Sequence, residues 1–180
     1  MTLDAQAPSE AGPARLRHNL VGWGITAIGV AMAVFHLYTA WFGAPDALSF
    51  RAIHVGFALV LAFLIYPGSK RGQANRPDWS RALFALLGIV VTGYILFAKD
   101  YVDNRMIYVD ELRREDWVLG AMMVVLLLEA SRRTVGLALP LTALAFLFYA
   151  VFIAGSDLAL LMEQLYLGTE GIFGIPVSVS

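Results

Sequence analysis

Two long apolar runs most constrain what this chain can fold into. No charged residue occurs in residues 117–128 or in residues 134–156. The second run has about 23 residues, enough to cross a hydrocarbon core of roughly 30 Å at about 1.5 Å per residue. Between the runs lies a charged turn, residues 129–133, that ends in two arginines. The pattern predicts a membrane hairpin whose turn is held at a positively charged surface.

The composition is typical of a membrane protein. Hydrophobic residues make up 59% of the 180-residue chain and charged residues only 15%, whereas soluble domains carry about a quarter charged residues. Mean hydropathy is +0.69, and the charges gather in short loops. These features predict an all-α fold, a polytopic helical bundle in a membrane.

Several functional classes lack the residues that they need. The chain has no cysteine, so it has no disulfide framework, thiolate chemistry or cysteine-ligated metal. No basic face or tail suits nucleic acid, and no phosphate loop, catalytic triad or metalloprotease spacing occurs. The polar, acidic N-terminus does not resemble a cleavable signal peptide. We therefore expect neither an enzyme nor a resident cofactor.

The apolar runs predict five membrane spans. A polar tail, residues 1–18, precedes them, and a shorter apolar segment, residues 157–167, follows as an interfacial helix. Gly22, Gly24 and Gly29 in the first span are small enough to let another helix approach closely. The predicted spans are residues 20–42, 51–66, 82–97, 117–132 and 139–154.

The loop charges predict the orientation. The tail, the 67–81 loop and the 130–136 turn are basic, whereas the 43–50 and 98–116 loops are not. Because basic loops stay on the cytoplasmic side, the N-terminus is predicted to be cytoplasmic.

Glu129, Arg132 and Arg133 form the strongest polar constellation. Their spacing of three and four residues places them on one helical face, with the carboxylate first, which is the favourable order. One interpretation is a relay for protons or ions. The interpretation that we favour is a local ion pair that anchors the hairpin turn and meets lipid phosphate or another domain.

His36, Arg51 and His54 lie near the outer ends of the first two spans. Two histidines can bind a metal or haem, but a metal usually takes more ligands. We favour hydrogen-bonded packing, with Arg51 meeting Asp46 or a lipid headgroup.

Acidic residues are frequent on the predicted outer side. They occur in the 98–116 loop and at Asp157, Glu163 and Glu170. They either contact a soluble partner or form a solvated connector.

Three segments in this order resemble a known transporter family. They are Arg51-Ala-Ile-His54 with the following FALVLAFLIYP, then LLLEASRRTVGLALPLTALAFLFYA, and then QLYLGTEGIFGIPVSVS. Together they resemble the start of fused permeases of tripartite ATP-independent periplasmic (TRAP) transporters, in the branch that works with TAXI-type binding proteins. In that family a four-helix part is fused to a twelve-helix part, which holds the substrate and sodium sites and moves like an elevator.

The resemblance implies a domain plan. A cytoplasmic tail (1–18) is followed by a four-helix, small-subunit-like domain (19–136) and a linking span (137–156). Residues 157–180 would be the interfacial helix and the start of the large transport domain, which we expect to continue beyond Ser180. In the last segment Thr169, Glu170, Gly171, Gly174 and Pro176 would form a family-motif turn that sets backbone shape.

The resemblance also implies a function. The chain would be the membrane scaffold of a permease for organic acid uptake, in a bacterial inner membrane, working with a periplasmic TAXI-type binding protein. Its coupling ion, sodium or a proton, would not bind to this segment. The alternatives are a haem- or metal-binding membrane subunit of a redox enzyme, and a free-standing small membrane interaction protein.

Overall fold

The computed structural model describes residues 13–66, 68, 79–106, 109–168, 171, 172 and 174, with side chains from residue 22 onward, and these residues form helices without a strand. The last two helices each continue into a π-helical turn, and we call Leu158–Leu167 as a whole the C-terminal helix. The helices are α1 (Pro13–Phe42), α2 (Ala47–Ile65), α3 (Trp79–Phe97), α4 (Lys99–Asn104), α5 (Arg114–Thr134), α6 (Ala138–Phe148, with the π turn Tyr149–Ile153) and α7 (Leu158–Met162, with the π turn Glu163–Leu167).

Three helices are long and apolar enough to cross a membrane. They are Gly22–Phe42, Ala47–Ile65 and Trp79–Phe97, so the prediction of an all-α membrane bundle is confirmed. Helix α5 has 21 residues but carries charges in its first and last turns, and Ala138–Ile153 is shorter. That α5 and α6 also cross the membrane stays a prediction.

Helix α2 begins four residues before the predicted start of the second span. The reason is a cap, because the Asp46 carboxylate accepts a hydrogen bond from the Ser49 backbone N–H at 2.9 Å. A carboxylate in this position satisfies one of the N–H groups that a helix start leaves without a partner. Asp46 also forms an ion pair with Lys99 at the start of α4, which joins the α1–α2 turn to the end of α3.

The core lies where α2, α3 and α5 meet. On α2 its residues are Ala52, Val55, Leu59 and Phe63, spaced by three or four residues as one face of a helix requires. The other helices contribute Ala85, Val91 and Ile95 from α3, and Met123, Leu126 and Ala130 from α5.

Small residues let the core helices approach closely. A Cβ added at Gly56 of α2 would lie 2.8 Å from the Thr92 hydroxyl of α3, and one at Gly120 of α5 would lie 2.5 Å from the Met162 sulfur. The three glycines of the first span that we expected to act in this way have no atom within 4 Å of such a Cβ. Close packing therefore occurs in the core and not along the described part of α1.

Helix α1 lies at the edge of the bundle. Among residues 22–42 Thr39 alone is buried, and the helix packs against α2. Most of its surface is therefore available to lipid or to another protein.

Residues 158–167 form a helix, as predicted, and this C-terminal helix also packs into the bundle. Tyr166 is fully buried, and its hydroxyl donates a hydrogen bond of 2.8 Å to the Val91 carbonyl of α3. The 98–116 segment likewise contains a short helix, α4, and the first residues of α5. These two segments close one end of the core.

Part of the predicted plan lies outside the described residues. This is true of residues 1–12 of the polar tail, and of Lys70, Arg71 and Arg76 in the basic loop. Thr169, Glu170 and Pro176 of the family-motif turn lie outside them as well.

Candidate functional sites

Two groups of polar side chains lie at opposite ends of the core. The outer cluster, at the predicted periplasmic end, consists of Tyr94, Tyr101, Arg105, Asp116 and Glu163. The inner cluster, at the predicted cytoplasmic end, consists of Glu129, Arg132 and Arg133. Helix α5 connects the clusters, because Asp116 is in its first turn and both inner arginines are in its last.

Asp116 is the centre of the outer cluster. Its side chain is fully buried and accepts hydrogen bonds from the Tyr94 hydroxyl at 2.9 Å and the Tyr101 hydroxyl at 2.7 Å. The Arg113 backbone N–H donates a third bond at 2.9 Å, which caps the start of α5. The expectation that the whole acidic segment is a solvated connector or a partner contact is therefore wrong for Asp116. Three donors make its burial tolerable.

Tyr101 connects Asp116 to a neighbouring ion pair. Burial, the hydrogen bond to Asp116 and the charge of that carboxylate raise the pKa of Tyr101, although the charges of Arg105 and Arg113 act in the opposite direction. The Arg113 guanidinium lies 3.6 Å from the centre of the Tyr101 ring, and Arg105 Nη1 lies 3.5 Å from its hydroxyl.

Arg105 and Glu163 form a buried ion pair between the α4–α5 segment and the C-terminal helix. Arg105 Nη2 lies 3.1 Å from Glu163 Oε1, with side-chain exposures of 3% and 6%. Arg105 also donates to the Asp110 carbonyl. Glu163, expected to be exposed or a partner contact, is thus an internal residue.

Tyr166 completes the attachment of the C-terminal helix. Its ring stacks on that of Tyr94 with 6.5 Å between centroids and an angle of 14°, and burial raises the pKa of its hydroxyl. Beside this attachment lies a cleft of about 510 Å³, whose lining includes the apolar Trp117 and Leu160 and the acidic Asp110 and Glu111.

The inner cluster has the geometry predicted from its spacing. Glu129 Oε2 accepts from Arg132 Nε at 2.7 Å, and Oε1 accepts from Arg132 Nη2 at 2.8 Å and from Arg133 Nε at 2.7 Å. The two arginines differ in exposure, because 42% of the Arg132 side chain is exposed but only 2% of the Arg133 side chain.

Arg133 joins α5 to the inner ends of α2 and α3. Its guanidinium lies 5.1 Å from the Phe63 ring centre and 4.8 Å from that of Phe84. It also approaches the Tyr66 carbonyl at 3.5 Å. A cation over two aromatic faces in a desolvated setting is stabilising, so the inner cluster holds three helices together and not only its own turn.

His36 and His54 are in direct contact. His36 Nε2 and His54 Nδ1 lie 2.9 Å apart, and the other His36 nitrogen bonds the Met32 carbonyl at 2.7 Å. Arg51 is half-buried one turn before His54. Among the residues that the structure describes, no three His, Cys, Asp or Glu side chains are grouped so that they could hold a metal ion.

The described part of the family-motif turn folds back on the C-terminal helix. The Ile172 N–H donates to the Leu165 carbonyl at 3.1 Å, and the Gly174 N–H donates to the Gly171 carbonyl at 2.9 Å. A Cβ at Gly171 would overlap the Gln164 carbonyl oxygen. Gly171 is therefore required by a close backbone approach, and that the whole turn sets backbone shape stays a prediction.

The sequence signals found the inner cluster and missed the outer one. The outer residues are separated by up to 69 positions, since the cluster runs from Tyr94 to Glu163, and no periodic pattern relates them. One available signal was Asp116 itself, the third residue of α5, a position from which a carboxylate can cap the helix. Comparison with protein-family models, with curated proteins and with solved structures finds no match to this chain.

Proposed function

We propose that this chain is the membrane scaffold of a TRAP-type secondary transporter permease for organic acids. It would lie in a bacterial inner membrane with its N-terminus in the cytoplasm. It would hold a twelve-helix transport domain in the bilayer and help to seat a periplasmic TAXI-type binding protein. The coupling ion, sodium or a proton, would bind in the transport domain and not here. The proposed assignment to this family rests on the three sequence segments that resemble these permeases.

The placement of buried polar groups carries the scaffold assignment. Among the described side chains the buried charged groups lie at the two ends of the core, with Arg105, Asp116 and Glu163 in the outer cluster and Arg133 in the inner cluster. The polar side chains near the middle of the core include Thr92, whose hydroxyl bonds the Gly88 carbonyl of its own helix at 2.8 Å, and Tyr166, whose hydroxyl bonds the Val91 carbonyl at 2.8 Å. Transport sites usually place polar side chains or broken helices near the midplane. A middle whose hydroxyl groups bond the backbone, between charged ends, favours a support.

The two clusters also favour a rigid body. Arg133 joins α2, α3 and α5 at one end, and the Arg105–Glu163 pair joins the C-terminal helix to the α4–α5 segment at the other. A domain that another domain moves against must itself resist deformation. The contacts between helices at both ends supply that resistance.

The orientation is testable because the natural chain has no cysteine. Single cysteines at Ala44, Glu111 and Val135, all exposed, would be treated in intact cells with a membrane-impermeant maleimide. We expect labelling at positions 44 and 111, and labelling at 135 only after lysis. Labelling of 111 and 135 from the same side would show that α5 does not cross the membrane.

The function is tested by reconstitution. Proteoliposomes would contain the full chain alone, or the chain with the twelve-helix domain and a TAXI-type binding protein, under a sodium or proton gradient. We expect uptake of organic acid anions when all three parts are present and none with the chain alone. Uptake by the chain alone would overturn the scaffold assignment. A Soret absorbance band in the purified chain would instead favour the haem alternative.

A further inference from the structure

We propose that the cleft between α5 and α6 binds one acyl chain of an anionic phospholipid, with the lipid phosphate at Arg132. The cleft has a volume of about 250 Å³ and a wide opening. Its walls are apolar except for Glu129 and Arg132, which lie at the end of the cleft where α5 ends and α6 begins, the end that we call the mouth. The apolar lining consists of Val125, Leu128, Leu137, Pro140, Leu141 and Leu144.

The dimensions fit a hydrocarbon chain and not a helix. The lining runs from Val125 to Arg132 on α5 and from Leu137 to Leu144 on α6, about 10 Å along each at about 1.5 Å per residue. A volume of about 250 Å³ over that length leaves a cross-section of about 25 Å². A helix about 10 Å wide needs about 80 Å². One acyl chain therefore fits within the cleft, whereas a helix of another domain would lie across its opening.

The charge at the mouth fits a phosphate. Glu129 faces two guanidinium groups, so the inner cluster has one positive charge in excess. Arg133 is buried and committed to aromatic rings, whereas 42% of the Arg132 side chain is exposed. The excess charge is thus accessible at Arg132, beside the opening of the cleft. Basic side chains near a membrane surface attract anionic headgroups.

The start of α6 adds to this attraction. Helix α6 has no side-chain cap on its first turn, so the backbone N–H groups of Ala138 and Leu139 lack a side-chain acceptor, and Leu137 and Pro140 of the same turn line the cleft. Such groups carry a partial positive charge. The lipid would satisfy them while its chain covers the apolar walls.

The test uses the full chain, delipidated in detergent, with phosphatidylglycerol, phosphatidylcholine or inorganic phosphate added. Bound lipid would be counted by native mass spectrometry, and thermal unfolding would be followed in parallel. We expect one tightly bound phosphatidylglycerol that raises the midpoint temperature, weaker binding of phosphatidylcholine, and no effect of millimolar phosphate.

Variants of the protein separate the contribution of the lipid headgroup to binding from that of the acyl chain. Arg132→Gln should weaken phosphatidylglycerol binding about fivefold, as expected for one basic residue at an anionic lipid, and should reduce the preference over phosphatidylcholine. Arg114→Gln removes the same charge at the other end of α5 and should change nothing. Leu144→Trp, which fills the cleft, should weaken both lipids.

Three results would overturn the proposal. They are unchanged phosphatidylglycerol binding in Arg132→Gln, an equal loss in Arg114→Gln, and a phosphate effect as large as that of the lipid. If Arg132→Gln fails to fold, the Leu144→Trp variant still decides, because lipid binding that survives a filled cleft refutes it. None of these measurements depends on transport.

Discussion

Replacing Glu163 by Gln should detach the C-terminal helix from the bundle. The substitution keeps the shape of the side chain but leaves the Arg105 charge, only 3% exposed, without its carboxylate. Removing one partner of a buried ion pair costs about 3–5 kcal/mol. Because the Asp110 carbonyl still accepts from Arg105, we expect the lower end, about 3 kcal/mol.

That free energy corresponds to a change of roughly 150-fold in the opening equilibrium of the C-terminal helix. Hydrogen exchange of the backbone amides in Leu158–Leu167, followed by mass spectrometry, measures it directly, since local opening sets the exchange rate. We expect protection to fall by about two orders of magnitude, while the amides of α2 and α3 keep theirs.

Two matched variants make the result interpretable. Glu111→Gln removes an exposed carboxylate at the same end and should leave protection unchanged. The double variant Arg105→Met/Glu163→Leu removes both charges and should recover most of the loss, because apolar residues often replace a buried pair without penalty. Protection within threefold of the natural chain in Glu163→Gln, or a double variant as unstable as the single one, would refute the reasoning.

Three further predictions concern the core and the two ends. Arg133→Gln should lower the free energy of unfolding in detergent by about 2 kcal/mol, because it loses desolvated ring contacts and a charged hydrogen bond. Arg132→Gln, which changes an exposed side chain, should lower it by less than about 1 kcal/mol. Equal effects of the two variants in chemical unfolding would contradict this. Gly56→Ala should cost about 1–3 kcal/mol, since its Cβ meets a threonine hydroxyl at 2.8 Å, while Gly93→Ala, whose nearest contact is 4.0 Å away, should be tolerated in the same unfolding assay. The folded pKa of Tyr101 lies above its ordinary value of 10.0. The stabilisation by the protonated Tyr101 hydroxyl is therefore fully present below pH 10.0 and is lost as pH rises from 10.0 through the folded pKa, so the midpoint temperature should fall above pH 10.0, and less steeply in Tyr101→Phe.

Local patterns predicted the helices and the inner cluster. Apolar length alone gave the all-α membrane bundle, because a segment in lipid must satisfy its backbone within a helix. The contacts of Glu129 with Arg132 and Arg133 followed from helical spacing, since residues three and four apart lie on one face. The further reach of Arg133 to Phe63 and Phe84 could not be predicted, because it depends on how three helices are arranged.

Tertiary proximity explains what the sequence did not predict. The Arg105–Glu163 pair joins residues 58 positions apart, and a charged residue in a loop looks the same whether it is solvated or buried. Glycines show a similar limit. Gly22 and Gly120 are equally small, but only the second faces another helix, and single-sequence reasoning does not reveal which face is covered.

The burial of Glu163 and Tyr166 has a consequence for biosynthesis. Ribosomes add about 5–20 residues per second, so several seconds separate the synthesis of Asp116 from that of Glu163. During this time Arg105 lacks its partner, and the groove that receives Tyr166 is open. Nascent chains paused in this interval would present a polar groove to membrane chaperones and proteases. These chaperones and proteases would then cease to bind the chain when the C-terminal helix docks.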